Sequence, residues 1–75
     1  MMTIGQIAKK HHISERTVRL YHDVGLLAPE HIDRATGYRY YAPSQSARLD
    51  TIIQMKAVGL SLKQIKTMLD AHDLS

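Results

Sequence analysis

The sequence predicts a mainly α fold of four short helices, with one small β-hairpin between the second and the third. Three observations predict it. Thr3 with Gln6 and Ser61 with Gln64 are capping-box pairs, the signature of a helix start. Apolar residues recur at helical spacing after each start, as in Ile4, Ile7 and Ala8. Between them, the turn-rich Asp33-Arg34-Ala35-Thr36-Gly37 leads into Tyr38-Arg39-Tyr40-Tyr41, and aromatic residues beside a glycine turn read as a hairpin.

Each element has its own reason. The first helix is expected to run from Thr3 to about His11. Ser14 is the next N-cap, and it opens a helix that Gly25 ends. Leu26, Leu27 and Pro29 lead the chain out of it. The hairpin occupies residues 30–41, with Ile32 before its turn. Pro43 suits the first turn of a third helix, where a missing N–H costs nothing. Leu49, Ile52 and Ile53 give that helix an apolar stripe, and Gly59 ends it. Leu62, Ile65, Met68 and Leu69 are expected to form the inner face of a short fourth helix.

Composition narrows the class of protein. With 75 residues the chain is one small domain, and such a domain buries only about 60% of its unfolded surface. The lack of cysteine excludes disulfides and thiolate metal sites. Nothing at the start resembles a signal peptide, and no apolar run approaches the roughly 20 residues of a membrane span. A soluble cytoplasmic protein is therefore expected. Ten Lys+Arg against seven Asp+Glu give a net charge of +3 and a pI near 9.5, a balance that suits a polyanionic partner. Lys9, Lys10, Arg16, Arg19, Arg34, Arg39 and Arg48 all lie in the first two thirds. After Lys66 come Asp70 and Asp73 and no further cation.

The first two helices, with four residues between them, have the form of a helix-turn-helix. Two helices crossing steeply need a small residue where they touch, and Ala8 supplies it. Ile7, Ile13, Val18 and Tyr21 can then converge on one core. The opposite face of the second helix carries Glu15, Arg16, Arg19, His22 and Asp23. In a major groove, Arg16 and Arg19, one turn apart, can reach guanine edges or phosphates. Ser14 and the free N–H groups beside it can hold a phosphate. On an isolated helix the same residues would read as a solvated charged face. The turn carries His12 where glycine is frequent, and histidine tolerates left-handed backbone better than a β-branched residue. His11 stands where an apolar residue is frequent.

Several stretches together resemble the N-terminal domain of MerR-family regulators. They are Ile4-Gly5-Gln6-Ile7-Ala8, Ile13-Ser14-Glu15-Arg16-Thr17-Val18-Arg19-Leu20-Tyr21, Gly25-Leu26-Leu27, the Asp33-to-Tyr41 hairpin, and Leu60-Ser61-Leu62-Lys63-Gln64-Ile65-Lys66. The Tyr-Arg-Tyr-Tyr segment looks most like the multidrug-sensing branch. The resemblance implies a winged helix-turn-helix in which the last two helices form a second wing. It implies that Ser14, Glu15, Arg16, Thr17, Arg19 and His22 border or enter the major groove of double-stranded DNA. Tyr38 and Arg39 would hold the sugar-phosphate backbone, Lys56 would approach phosphate, and Tyr21 would both pack the core and offer its hydroxyl. Tyr40 and Tyr41 are expected to be mainly structural.

Three residues depart from the family pattern. Leu20 replaces an aromatic residue, Ala42 a capping serine or threonine, and Ser46 a leucine. Ala42 predicts a less firmly started third helix, and Ser46 a thinner core beneath the wing. The resemblance further implies a homodimer joined by a long antiparallel coiled-coil helix, for which this chain ends too early, and a following effector-binding domain. The chain is therefore expected to be a piece of a longer regulator, with a complete small relative of the family as the alternative. Such a dimer would bind a palindromic promoter operator and distort it so that RNA polymerase can engage. No cofactor, metal or enzymatic role is expected: His11, His12, His22, His31 and His72 lack metal-ligand spacing, and Ser14 and Ser44 lack a base and orienter. The competing readings are an excisionase-like architectural DNA binder and a protein-interaction module. The latter would expose an apolar patch, for which only Leu20 and Met55 are candidates.

Overall fold

A computed structural model describes residues 1–73. The elements run in the order β1 (Met2–Thr3), α1 (Ile4–Lys10), α2 (Glu15–Asp23), β2 (His31–Ile32), β3 (Arg39–Tyr41), α3 (Pro43–Ala57) and α4 (Leu62–Asp73). The four helices and the hairpin thus lie where the sequence places them. The strand β1 is an addition. It turns the hairpin into a three-stranded antiparallel sheet of order β1-β3-β2, with Met2 opposite Tyr41, Thr3 opposite Tyr40, and Ile32 opposite Arg39.

Helix starts follow their side chains. Thr3 N–H donates to Gln6 Oε1 at 2.8 Å, and Gln6 N–H donates to Thr3 Oγ1 at 3.2 Å. Ser61 and Gln64 repeat the exchange at 2.9 and 3.1 Å. Ser14 caps α2 by accepting from Thr17 N–H at 3.0 Å. Helix α3 has half of such a box. Ala42 carries no acceptor, but its own N–H donates to Gln45 Oε1 at 2.7 Å, and Pro43 removes one donor that would need a partner. The start is firmer than Ala42 alone implies.

The turn between α1 and α2 has the steric cost expected of it. His12 adopts φ +57, in the left-handed region, and Ile13 N–H donates back to Ala8 C=O at 3.0 Å. At the far end of α2, Gly25 has φ +81, and a Cβ there would lie 3.2 Å from Lys66 Cε of α4. The left-handed backbone favours glycine at that position, and the flexible Lys66 side chain would have to give a little for any larger residue.

Ile7, Ala8, Val18, Tyr21, Leu26, Leu27, Tyr41, Leu49, Ile52 and Ile65 form one buried core, so every helix contributes to it. The expected inner face of α4 needs one correction: Ile65 is buried and Leu62 and Leu69 pack against the core, but Met68 is 49% exposed. Met55 is not exposed as expected, and packs against the core instead. Ser46 is buried at 4% exposure, with its Oγ 2.7 Å from His11 Nε2.

Close backbone approaches join α1 to α2 and α3 to α4, and tie α1 to the sheet. The two helical pairs meet chiefly through side chains. Arg48 Nε of α3 donates to Leu26 C=O at 2.6 Å.

Candidate nucleic-acid interface

The outer face of α2 is built by subtraction. Val18 and Tyr21 turn inward, which leaves Glu15, Arg16, Arg19, Leu20 and Asp23 in solvent. Arg16 makes no ion pair among the described residues. Arg19 Nη2 lies 3.7 Å from Glu15 Oε1, with both side chains about half exposed (54% and 51%). Such an exposed pair contributes about 0–1 kcal/mol, so Arg19 can exchange this partner for a stronger anion. Ser14 is exposed at the head of the same helix, and its Oγ shares a 2.8 Å hydrogen bond with Thr17 Oγ1. Thr17 is half-buried. His22 follows one turn after Arg19; it is half-buried, and its Nδ1 is covered without a hydrogen-bond partner.

The wing is a rigid loop. Asp33 Oδ1 accepts from Ala35 N–H (2.8 Å) and Thr36 N–H (3.2 Å), and Gly37 N–H closes the turn on Asp33 C=O at 2.7 Å. Tyr38, at 63% exposure, stands out from this turn. Alternation along β3 then sends Tyr40 to one face, where it meets the His31 ring, and Arg39 and Tyr41 to the other. Tyr41 is fully buried, and Tyr40 is half-buried against His31.

The start of α1 connects wing and helix. Thr3, Ile4 and Gly5 line a cleft together with Tyr38 and Arg39. On its other side Gly5 meets Glu15, whose Oε2 would be 3.4 Å from a Cβ at that position. Gly5 thus links Tyr38 and Arg39 of the wing to Glu15, the ion-pair partner of Arg19 on α2. Burial raises the Tyr41 hydroxyl above the ordinary tyrosine value, and the nearby charges of Arg39 and Arg19 both pull it back down. Burial also raises the Tyr21 hydroxyl, which stays protonated and able to donate at neutral pH. Lys56 is exposed in the last turn of α3, and nothing described brings it into contact with this surface.

One constellation was not legible in the sequence. His11 Nδ1 lies 3.0 Å from Asp50 Oδ1, and its Nε2 lies 2.7 Å from Ser46 Oγ. The order Ser-His-Asp is that of a nucleophile, base and orienter. Ser46 is only 4% exposed and lines neither the cleft by the wing nor the one beside α4. Sequence spacing could not show the triad, since its members lie 35 and 39 positions apart. The available hint was that His11 and Ser46, both unusual for their places, are complementary in size and polarity.

No helix among the described residues is long and apolar enough to cross a membrane. The exposed large apolar residues include Leu20, Val24, Ile32, Tyr38, Val58 and Met68, spread over α2, the wing, and the α3–α4 region.

Comparison with known proteins places the arrangement. Residues 2–72 match the family described as MerR HTH family regulatory protein. The multidrug-efflux transporter 1 regulator of Bacillus subtilis (strain 168) is 35% identical over 68 residues, covering 91% of this chain and 24% of that protein. The fold superposes on MtaN, the N-terminus of the Bacillus subtilis multidrug transporter activator, with a TM-score of 0.87 at 36% identity, covering 93% of this chain and 65% of that one. It also superposes on HiNmlR, a MerR family regulator lacking the sensor domain and bound to promoter DNA, with a TM-score of 0.82 at 30% identity, covering 99% and 60%. The chain thus spans about a quarter of the length of the curated regulator it matches. With sequence and fold agreeing over nearly all its residues, the chain belongs to the MerR HTH family of regulatory proteins.

Proposed function

We propose that this chain is the DNA-binding head of a transcription regulator, with α2 in the major groove and the wing on the sugar-phosphate backbone. The observation that carries this is the run of contacts from the wing to α2: Tyr38 and Arg39 line one cleft with Gly5, and Gly5 lies against Glu15, the ion-pair partner of Arg19. A DNA-bound relative of the same fold supports the reading.

Arg16 and Arg19 provide planar forks suited to guanine or phosphate, and Ser14 with the free N–H groups at the head of α2 receives a phosphate. Glu15 keeps Arg19 extended until DNA replaces it. Thr17 orients Ser14 through their hydroxyl contact. Tyr38 and Arg39 fix register by gripping phosphate, which positions α2 but carries no sequence information. Tyr21 and His22 act from beneath this surface, and Lys56 adds a phosphate contact from α3. Residues 1–75 form a single functional domain.

The whole regulator is a dimer acting at a promoter operator with RNA polymerase, in the cytoplasm. No enzymatic role is part of this reading, which the naming of its relatives as regulators supports.

Gel-shift titrations of Arg19→Ala and, separately, Arg39→Ala test the reading. Each variant should remain folded and lose about 1–3 kcal/mol of DNA affinity. Unchanged affinity in both would defeat these roles.

A further inference from the structure

The recognition half and the second wing are separate helical pairs, and the positions of their cations relative to one another depend on how the pairs dock. Apolar packing between them is non-directional. Directional contacts among the described residues include the Arg48 bond to Leu26 and those of the imidazole of His11, the C-cap residue of α1, which precedes the His12 turn into α2.

The His11 side chain is only 4% exposed, and both of its nitrogens are engaged by a single helix. Ser46 and Asp50 are one turn apart on α3, so they grip the ring at two points along the helix axis. Nδ1–H donates to the Asp50 carboxylate, and Nε2 shares a hydrogen bond with the Ser46 hydroxyl. One planar ring held at two points fixes both the height and the rotation of α3 against the end of α1. An aliphatic side chain at position 11 would fill the same volume without fixing either. Lys56 lies six residues beyond Asp50, about 9 Å further along the same helix.

We propose that His11, held by Ser46 and Asp50, is a positioning residue that sets where Lys56 meets DNA relative to Arg19. This rests on the DNA-binding reading above, and it predicts a coupling that simple loss of stability does not.

The test is a double-mutant cycle on operator binding with the 75-residue chain, measured where thermal melts show every variant folded. Lys56→Ala should weaken binding several-fold in the otherwise unchanged chain and lower the log–log salt slope by about one. In an Asp50→Ala or His11→Gln background the same substitution should change affinity by less than about twofold, since the ammonium no longer meets its phosphate. Arg19→Ala should weaken binding in both backgrounds. Asp50 is 65% exposed, so its replacement keeps the cycle available even if His11→Gln fails to fold. An equal effect of Lys56→Ala in both backgrounds, or none in the unchanged chain, overturns the proposal. Loss of the Arg19 effect in the unchanged chain would instead overturn the DNA-binding reading itself.

Discussion

At the scale of single residues, the chain makes unusual choices that prove to be paired or localised. His11 and Ser46 each look misplaced in the sequence, and in the fold they bond to each other. Tyr41 is different: its ring fills the core, while its hydroxyl is covered without a partner. An unmet buried hydroxyl costs about 1–3 kcal/mol. Tyr41→Phe should therefore leave the domain as stable or stabilise it by about 1 kcal/mol at neutral pH, as read by chemical denaturation. Tyr21 and Tyr41 also set an alkaline limit. Both hydroxyls are raised in the fold, so the unfolded chain gives up these protons first. The stability they contribute is complete below about pH 10 and is lost as pH rises through the folded values. Tyr41→Phe should flatten part of that alkaline loss in melts taken between neutrality and pH 11. An unaltered alkaline limb would contradict this account of the hydroxyl.

At the scale of elements, the helix starts were legible because their signals are local. Thr3 with Gln6, Ser14, Pro43, and Ser61 with Gln64 act within four residues of themselves. The strand β1 was not legible. Met2 and Thr3 are too few to show alternation, and they become a strand only because Tyr40 and Tyr41, nearly 40 positions away, pair with them. The exposure of Met68 was missed for a related reason: helical spacing shows which residues share a stripe, but not how wide a stripe the neighbouring helix covers. Two substitutions test the element-level account. Ala42→Ser completes the half-box at the start of α3 and should stabilise the domain by about 1 kcal/mol. Gly25→Ala meets a left-handed backbone and the Lys66 side chain together, and should destabilise by about 1–2 kcal/mol. Thermal melts read both, and a neutral Gly25→Ala would show that the C-terminal end of α2 is not held as described.

At the scale of the whole molecule, contacts run from the wing through Gly5 to Glu15 and Arg19 of α2, while on α4 Lys66 is paired with Asp70 at 2.7 Å. The candidate surface was legible in outline, because Arg16, Arg19, Tyr38 and Arg39 each follow from a local pattern. What joins them was not, since Gly5 comes beside Glu15, Tyr38 and Arg39 only in the folded chain. A domain of this size has roughly 4–11 kcal/mol of stability in total. Variants meant to test DNA contacts must therefore be surface changes, because one core truncation of about 2–5 kcal/mol would confuse unfolding with lost binding. A single head presents a modest interface held largely by phosphate contacts, so its affinity should fall steeply with salt. Each lost phosphate contact should reduce the log–log slope by about 0.9.

The most direct measurement is an amide NMR titration of the chain with duplex DNA. The account predicts that resonances of Ser14, Arg16, Arg19, Tyr38 and Arg39 shift together along one binding curve, while Lys63 and Thr67 on α4 stay in place. Shifts centred on α4, or a wing that stays silent while α2 responds, would contradict it.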